Sequence, residues 1–108
     1  MSAYTVIESR DPLESTGPEK TRKLAAELAE QGNDVTIFLV QNGVGCARRG
    51  VLDSEFESLK ASGIRIYADE FALRERGIVE NGMSAVVQSE GLETLLDQLT
   101  AGNKMLWN

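Results

Sequence analysis

Val35-Thr36-Ile37-Phe38-Leu39-Val40, running into Gln41-Asn42-Gly43-Val44-Gly45-Cys46-Ala47-Arg48-Arg49-Gly50, decides how this chain folds. The first six residues are apolar or β-branched with no polar alternation, the pattern of a strand covered on both faces in a parallel sheet. The glycine-rich stretch behind it marks a turn at the strand's carboxyl end. Ligands and chemistry gather at that edge of open α/β sheets. Cys46, the single cysteine, is therefore expected near the rim. Two readings stand for it: a reactive thiolate, or a small buried hydrophobe of the kind most free cysteines are.

Working outward, strand and helix alternate. Tyr4 to Glu8 reads as a short strand. Thr16-Gly17-Pro18-Glu19 reads as a helix start, with Thr16 as cap and Pro18 in the first turn. Thr21, Leu24, Ala25, Leu28 and Ala29 give that helix an apolar face, and Gly32 ends it. Asp53 is expected to cap a second helix that buries Phe56 and Leu59 and stops at Gly63. Ile64 to Ala68 reads as a third strand. Phe71 to Arg76 is a helical turn stopped by Gly77, and Ile78 to Met83 the expected mobile loop. Ala85 to Gln88 is a weak fourth strand. Ser89 is expected to cap a last helix with an inward stripe of Leu92, Leu95, Leu96 and Leu99. Lys104 to Trp107 makes a fifth strand. The alternation predicts an α/β protein, its parallel sheet covered on both faces.

The bulk numbers bound the function. A chain of 108 residues is expected to form one domain over 1–108. A net charge of −6 argues against general nucleic-acid binding, which needs cations to displace counterions from phosphates. A lone cysteine forms no intrachain disulfide, and neither a signal peptide nor a run of the ~20 apolar residues that span a bilayer is visible. The expected location is the cytoplasm, with no membrane partner. No histidine occurs, which removes Ser-His-Asp and Cys-His hydrolases and the usual imidazole metal ligands. Neither a metal nor a cofactor is expected.

Motif tests narrow the chemistry further. Gly43-Val44-Gly45 fails the dinucleotide fingerprint, because the third glycine position holds Arg48. No phosphate-binding Gly-Lys-Ser/Thr is present. A thiol-phosphatase loop needs arginine six residues after Cys46, where Leu52 stands. What remains is Cys46 with Arg48 and Arg49 nearby, cations that lower a thiol's pKa and favour a thiolate, which can carry sulfane sulfur as a persulfide or be oxidised to a sulfenic acid. Surface pairing of the same arginines with Asp53, Glu55 or Glu57 is the alternative reading. Asp69-Glu70 follows the third strand, so a general acid or base and a helix cap by Asp69 are both open, the cap favoured. Arg10, after the first strand, converges on the same edge as an anion or subunit contact.

The first strand with its helix Glu19 to Gln31, Val35-Thr36-Ile37-Phe38-Leu39 with Asn42-Gly43-Val44, Leu73-Arg74-Glu75-Arg76-Gly77-Ile78, Gly91-Leu92-Glu93-Thr94-Leu95-Leu96 and Lys104-Met105-Leu106-Trp107 together resemble the DsrE/DsrF-like family of sulfur-relay proteins. The resemblance covers nearly the whole chain. It implies a three-layer α/β/α sandwich with a mainly parallel five-stranded sheet, assembly into homo-oligomers (trimers or hexamers), and sulfur transfer through a cysteine to a relay partner. In the sulfur-carrying members that cysteine stands eight residues before the glycine of the Arg-Gly motif; here the position is Asp69. Two functions follow as expectations. One is a sulfurtransferase-like relay protein that holds sulfane sulfur on Cys46, supported by Arg48 and Arg49, with Asn42 or Asp69 bonding the terminal sulfur. The other is a non-catalytic oligomeric module that binds a protein partner or a small anionic ligand at the strand-end cleft, near Arg10, Asn42 and Arg48. An enzyme built on Asp69 and Glu70 is the weakest reading.

Overall fold

The computed structural model describes residues 2–107. Five strands, β1 (Ala3–Glu8), β2 (Asp34–Leu39), β3 (Arg65–Asp69), β4 (Gln88–Glu90) and β5 (Lys104–Trp107), form one sheet in the order β4-β3-β2-β1-β5. Every neighbouring pair is parallel. Helices α1 (Gly17–Glu30), α2 (Asp53–Ala61), α3 (Glu70–Glu75) and α4 (Leu92–Thr100) connect them, with a 3₁₀ helix at Gln41–Ala47 and another at Glu80–Gly82. The result is a three-layer α/β/α fold with β2 and β1 at its centre.

Alternate side chains of a strand point to opposite faces, and the segment 35–40 carries buried apolar residues at both parities. Val35, Ile37 and Leu39 join Val6, Ile66 and Ala68 in the larger cluster, together with Ala25 of α1, Phe56 and Leu59 of α2 and Leu73 of α3. Phe38 and Val40 face the other way and pack with Ile7, Tyr67, Leu95 and Met105. The Phe38 and Tyr67 rings meet edge to face, centroids 6.0 Å apart, the arrangement aromatic quadrupoles favour. Arg65, Thr36 and Thr5 share that second face, and they carry polar contacts. Thr5 donates to Gln98 of α4 at 2.7 Å, and Gln98 donates to Thr36 at 3.3 Å. So α4 is held at one end by hydrogen bonds to buried threonines and at the other by Leu95.

That arrangement corrects the expected leucine stripe. Leu92, Leu96 and Leu99 are 49%, 61% and 55% exposed, and only Leu95 packs against the second cluster. Turning Gln98 toward Thr5 and Thr36 rotates the other leucines outward, because positions three apart share one helix face. Other boundaries shift too. Gly91, not Ser89, precedes α4, since Ser89 is spent in β4, which covers Gln88–Glu90 and not Ala85 to Gln88. Asp53 is the first residue of α2, and its carboxylate accepts from the Gly50 amide at 3.0 Å, so it closes the preceding turn and caps nothing. Thr16 stands at the cap position of α1 without a side-chain bond to the helix. Gly32 ends α1 at φ +86°, the left-handed conformation that favours glycine. The segment expected to be a mobile loop contains the second 3₁₀ turn and buries Ile78 and Met83.

Phe56, 1% exposed, anchors α2 to the sheet. Phe56→Ala is expected to lower unfolding free energy by about 3–5 kcal/mol, the usual cost of an emptied aromatic core site, read as a shift in the urea midpoint with little change in slope.

Candidate functional site

Strand parity also divides the carboxyl rim of the sheet in two. Glu8, at the end of β1, sits with Pro18, Thr21 and Arg22 of α1 and with Cys46. Asp69, at the end of β3, sits with Val40, Leu95 and Trp107 on the opposite face. Cys46 and Asp69 therefore do not share a site.

On the α1 side, the 3₁₀ helix after β2 folds back over the end of β1. Val40 donates its amide to the Glu8 carbonyl at 2.9 Å. A Cβ on Gly43 would land on that same carbonyl oxygen, and one on Gly45 would come within 2.7 Å of the Asp11 carboxylate. The two glycines that tempt a dinucleotide reading are there for this close approach. The turn they permit buries residues 43–47. Cys46 is 1% exposed. Its sulfur makes a long 3.9 Å contact with the Arg10 carbonyl oxygen. The void beside it, about 10 Å³, holds one water at most. Burial first, then the charges of Glu8 and Asp11, push the thiol from its ordinary 9.0 up to about 12, against the opposing pull of Arg22. The cation that acts on the sulfur is thus Arg22, not Arg48 or Arg49. At neutral pH the side chain is a protonated, enclosed thiol, and the thiolate is the nucleophilic form.

Glu8 went unremarked in the sequence, where it reads as the polar end of a strand. It is fully buried. Thr21 donates to one of its oxygens at 2.6 Å, and the Arg10 amide to the other at 2.8 Å. It ties the turn after β1 to α1, as hydrogen-bonded buried carboxylates must be tied to something.

On the α4 side, Asp69 caps α3, accepting from the Ala72 amide at 3.2 Å through Oδ2. Its Oδ1 is buried and has no hydrogen-bond partner among the described residues. Asp69 lines a cleft of about 360 Å³ with Gln41, Phe71, Arg76, Leu95 and Trp107. Gln41 takes φ +50°, the one non-glycine described residue in that region. Arg76 spans the mouth: Nη2 donates to Asn42 Oδ1 at 2.9 Å, Nη1 to the Ala72 carbonyl at 3.2 Å, and Glu75 lies 3.8 Å away. Asn42 thus reaches the cleft only through Arg76. Gln41, Arg76 and Trp107 were legible only as loop, helix and strand residues.

The remaining expected residues scatter. The Arg10 side chain runs past Gly17, and its carbonyl faces Cys46. Arg48 pairs its backbone with Met83 in an isolated antiparallel bridge. Among the described residues neither Arg48 nor Arg49 forms an ion pair with Asp53, Glu55 or Glu57. Arg49 instead lines a wide groove of about 910 Å³ along β4, with Lys60, Arg74, Glu70 and Glu80. That groove is larger than the Asp69 cleft, but among the described residues no buried side-chain polar atom without a partner lines it.

Two outcomes follow. Gly43→Ala is expected to be more destabilising than an ordinary surface glycine change, because the new methyl meets backbone and not a side chain that can move; thermal unfolding checks it. Unfolding frees the Cys46 thiol to ionise near 9, whereas in the fold it holds its proton to about 12. The raised pKa therefore contributes stability that is complete below pH 9 and is lost as pH rises toward 12. Relative to Cys46→Ala, the parent protein is expected to lose stability across that window, measured by urea unfolding at a series of pH values.

Comparison with known proteins places this geometry. A search of curated proteins found no match. Among solved structures, the YchN protein of E. coli superposes with a TM-score of 0.90 at 21% identity, over 100% of each chain. BT1422 of Bacteroides thetaiotaomicron, a conserved protein of unknown function, gives 0.77 at 18% identity over 97% of this chain and 94% of its own. MTH1491 of Methanobacterium thermoautotrophicum, also of unknown function, gives 0.74 at 17% identity over 97% and 99%. These likenesses establish the three-layer fold. The profile of the DsrE/DsrF-like family matches residues 2–107, and the chain belongs to that family.

Proposed function

We propose that this protein works in a sulfur-relay setting as a member that does not carry the sulfur, holding a ligand or a relay partner at the cleft beside Asp69. The enclosure of Cys46 carries this reading. A persulfide needs room for a second sulfur atom and a thiolate to receive it; the surroundings of Cys46 offer neither. The position where carriers of this family hold their cysteine has a carboxylate instead, and a carboxylate accepts hydrogen bonds but takes up no sulfane sulfur. The support from Arg48 and Arg49 expected for a thiolate falls away with it, since both lie elsewhere.

Association with copies of itself belongs to the same proposal. Leu96 and Leu99 project from α4 into solvent, and β5 is an edge strand. Exposed leucines beside an open edge are features that assemblies cover. A homo-oligomer, trimer or hexamer, acting in the cytoplasm with a sulfur-relay protein as partner, is the state this reading assigns; native mass spectrometry gives its stoichiometry.

The decisive experiment is intact-mass spectrometry after exposure to a low-molecular-weight persulfide at neutral pH, folded and in denaturant. The expected result is no added sulfur on the folded protein and ready addition to Cys46 once the chain is unfolded. Stoichiometric addition to the folded protein would restore Cys46 as a carrier.

A further inference from the structure

We propose that the Asp69 cleft takes a small molecule presenting a hydrogen-bond-donating nitrogen, an ammonium above all, on an aromatic or aliphatic body. The proposal rests on the reading of this cleft as a binding site and adds the sign of charge and the shape of what enters it.

Asp69 is 6% exposed, with one oxygen engaged by the Ala72 amide and the other buried without a partner among the described residues. An ionised carboxylate only accepts hydrogen bonds. A buried acceptor left alone is costly, and the cheapest remedy is a donor. None of the cations among the described residues supplies it. Arg76 lines the same cleft, but its nitrogens are directed to Asn42, the Ala72 carbonyl and Glu75. Counting the charged lining residues, Asp69 and Glu75 against Arg76, the cleft carries one net negative charge. An anionic ligand, the kind expected near Arg10 and Arg48, would meet the excess negative charge of this cleft, and neither of those arginines lines it.

The walls define the rest of the molecule. Phe71, Leu92, Leu95 and Trp107 are apolar, and Phe71 and Trp107 keep 58% and 66% of their surface exposed. Such rings accept an apolar body edge-on or a cation face-on. A volume of about 360 Å³ lies at the small end of ligand pockets, which favours a compact molecule.

Trp107 is the only tryptophan, so its fluorescence reports on the cleft without labelling. The probes are benzylammonium, benzyl alcohol and phenylacetate, titrated into the folded protein at neutral pH. Benzylammonium is expected to change the Trp107 signal saturably and to bind at least about tenfold more tightly than phenylacetate, the ratio one charge-assisted hydrogen bond supplies. Asp69→Asn, which keeps an oxygen for the Ala72 amide, is expected to abolish most of that preference. Glu75→Gln, at the exposed mouth, is expected to reduce it by a smaller factor. Phenylacetate binding as tightly as benzylammonium would overturn the charge assignment while leaving the cleft a binding site. No response to any probe, with a Trp107 signal that instead follows protein concentration, would overturn the proposal and give the cleft to a second copy of the chain. The persulfide experiment is independent of both results.

Discussion

The fold depends on one segment, residues 35–40, burying apolar side chains at both parities. Because β2 presents Val35, Ile37 and Leu39 to one side and Phe38 to the other, with Val40 just past its end on the side of Phe38, it cannot lie at an edge or face water. Helices must cover both its faces, and parallel neighbours joined by helical crossovers are the way a short chain arranges this. The order β4-β3-β2-β1-β5 follows from building outward from that buried centre.

The same parity organises the chemistry. Glu8 and Asp69 both end strands at the carboxyl rim, yet their side chains belong to different faces. The first is satisfied by Thr21 and the Arg10 amide and serves to lock a turn. The second caps a short helix with one oxygen and, among the described residues, leaves the other without a donor. Asp53 also keeps one buried oxygen without a partner among the described residues, but it lines neither the Asp69 cleft nor the groove along β4; a half-satisfied carboxylate at the wall of an open cleft is what separates the candidate site from scaffold.

Cys46 shows how position along the chain misleads. A thiol in a glycine-rich turn after a buried strand stands where reactive groups often stand. Here the glycines serve another purpose. Gly43 lets the turn press against the Glu8 carbonyl and Gly45 lets it pass Asp11, and the turn that results closes over the sulfur. Burial and two nearby carboxylates then hold the proton on it. The residue types that suggested accessibility are the ones that produce enclosure.

Local patterns were enough for the element types, the parallel sheet, the stop at Gly32 and the cap at Asp69, because those depend on backbone preferences and hydrophobic period within a few residues. The family motifs were legible for the same reason. Which face each rim residue takes, the outward turn of Leu96 and Leu99, and the meeting of Arg76 with Asn42 were not legible. They arise from contacts between residues far apart in the chain: Gln98 with Thr5 and Thr36, Gly43 with Glu8, Arg76 with Asn42. A sequence states which side chains exist and how the backbone around them bends; only packing decides which of them end up sealed, and which are left facing a cleft with a lone pair unused.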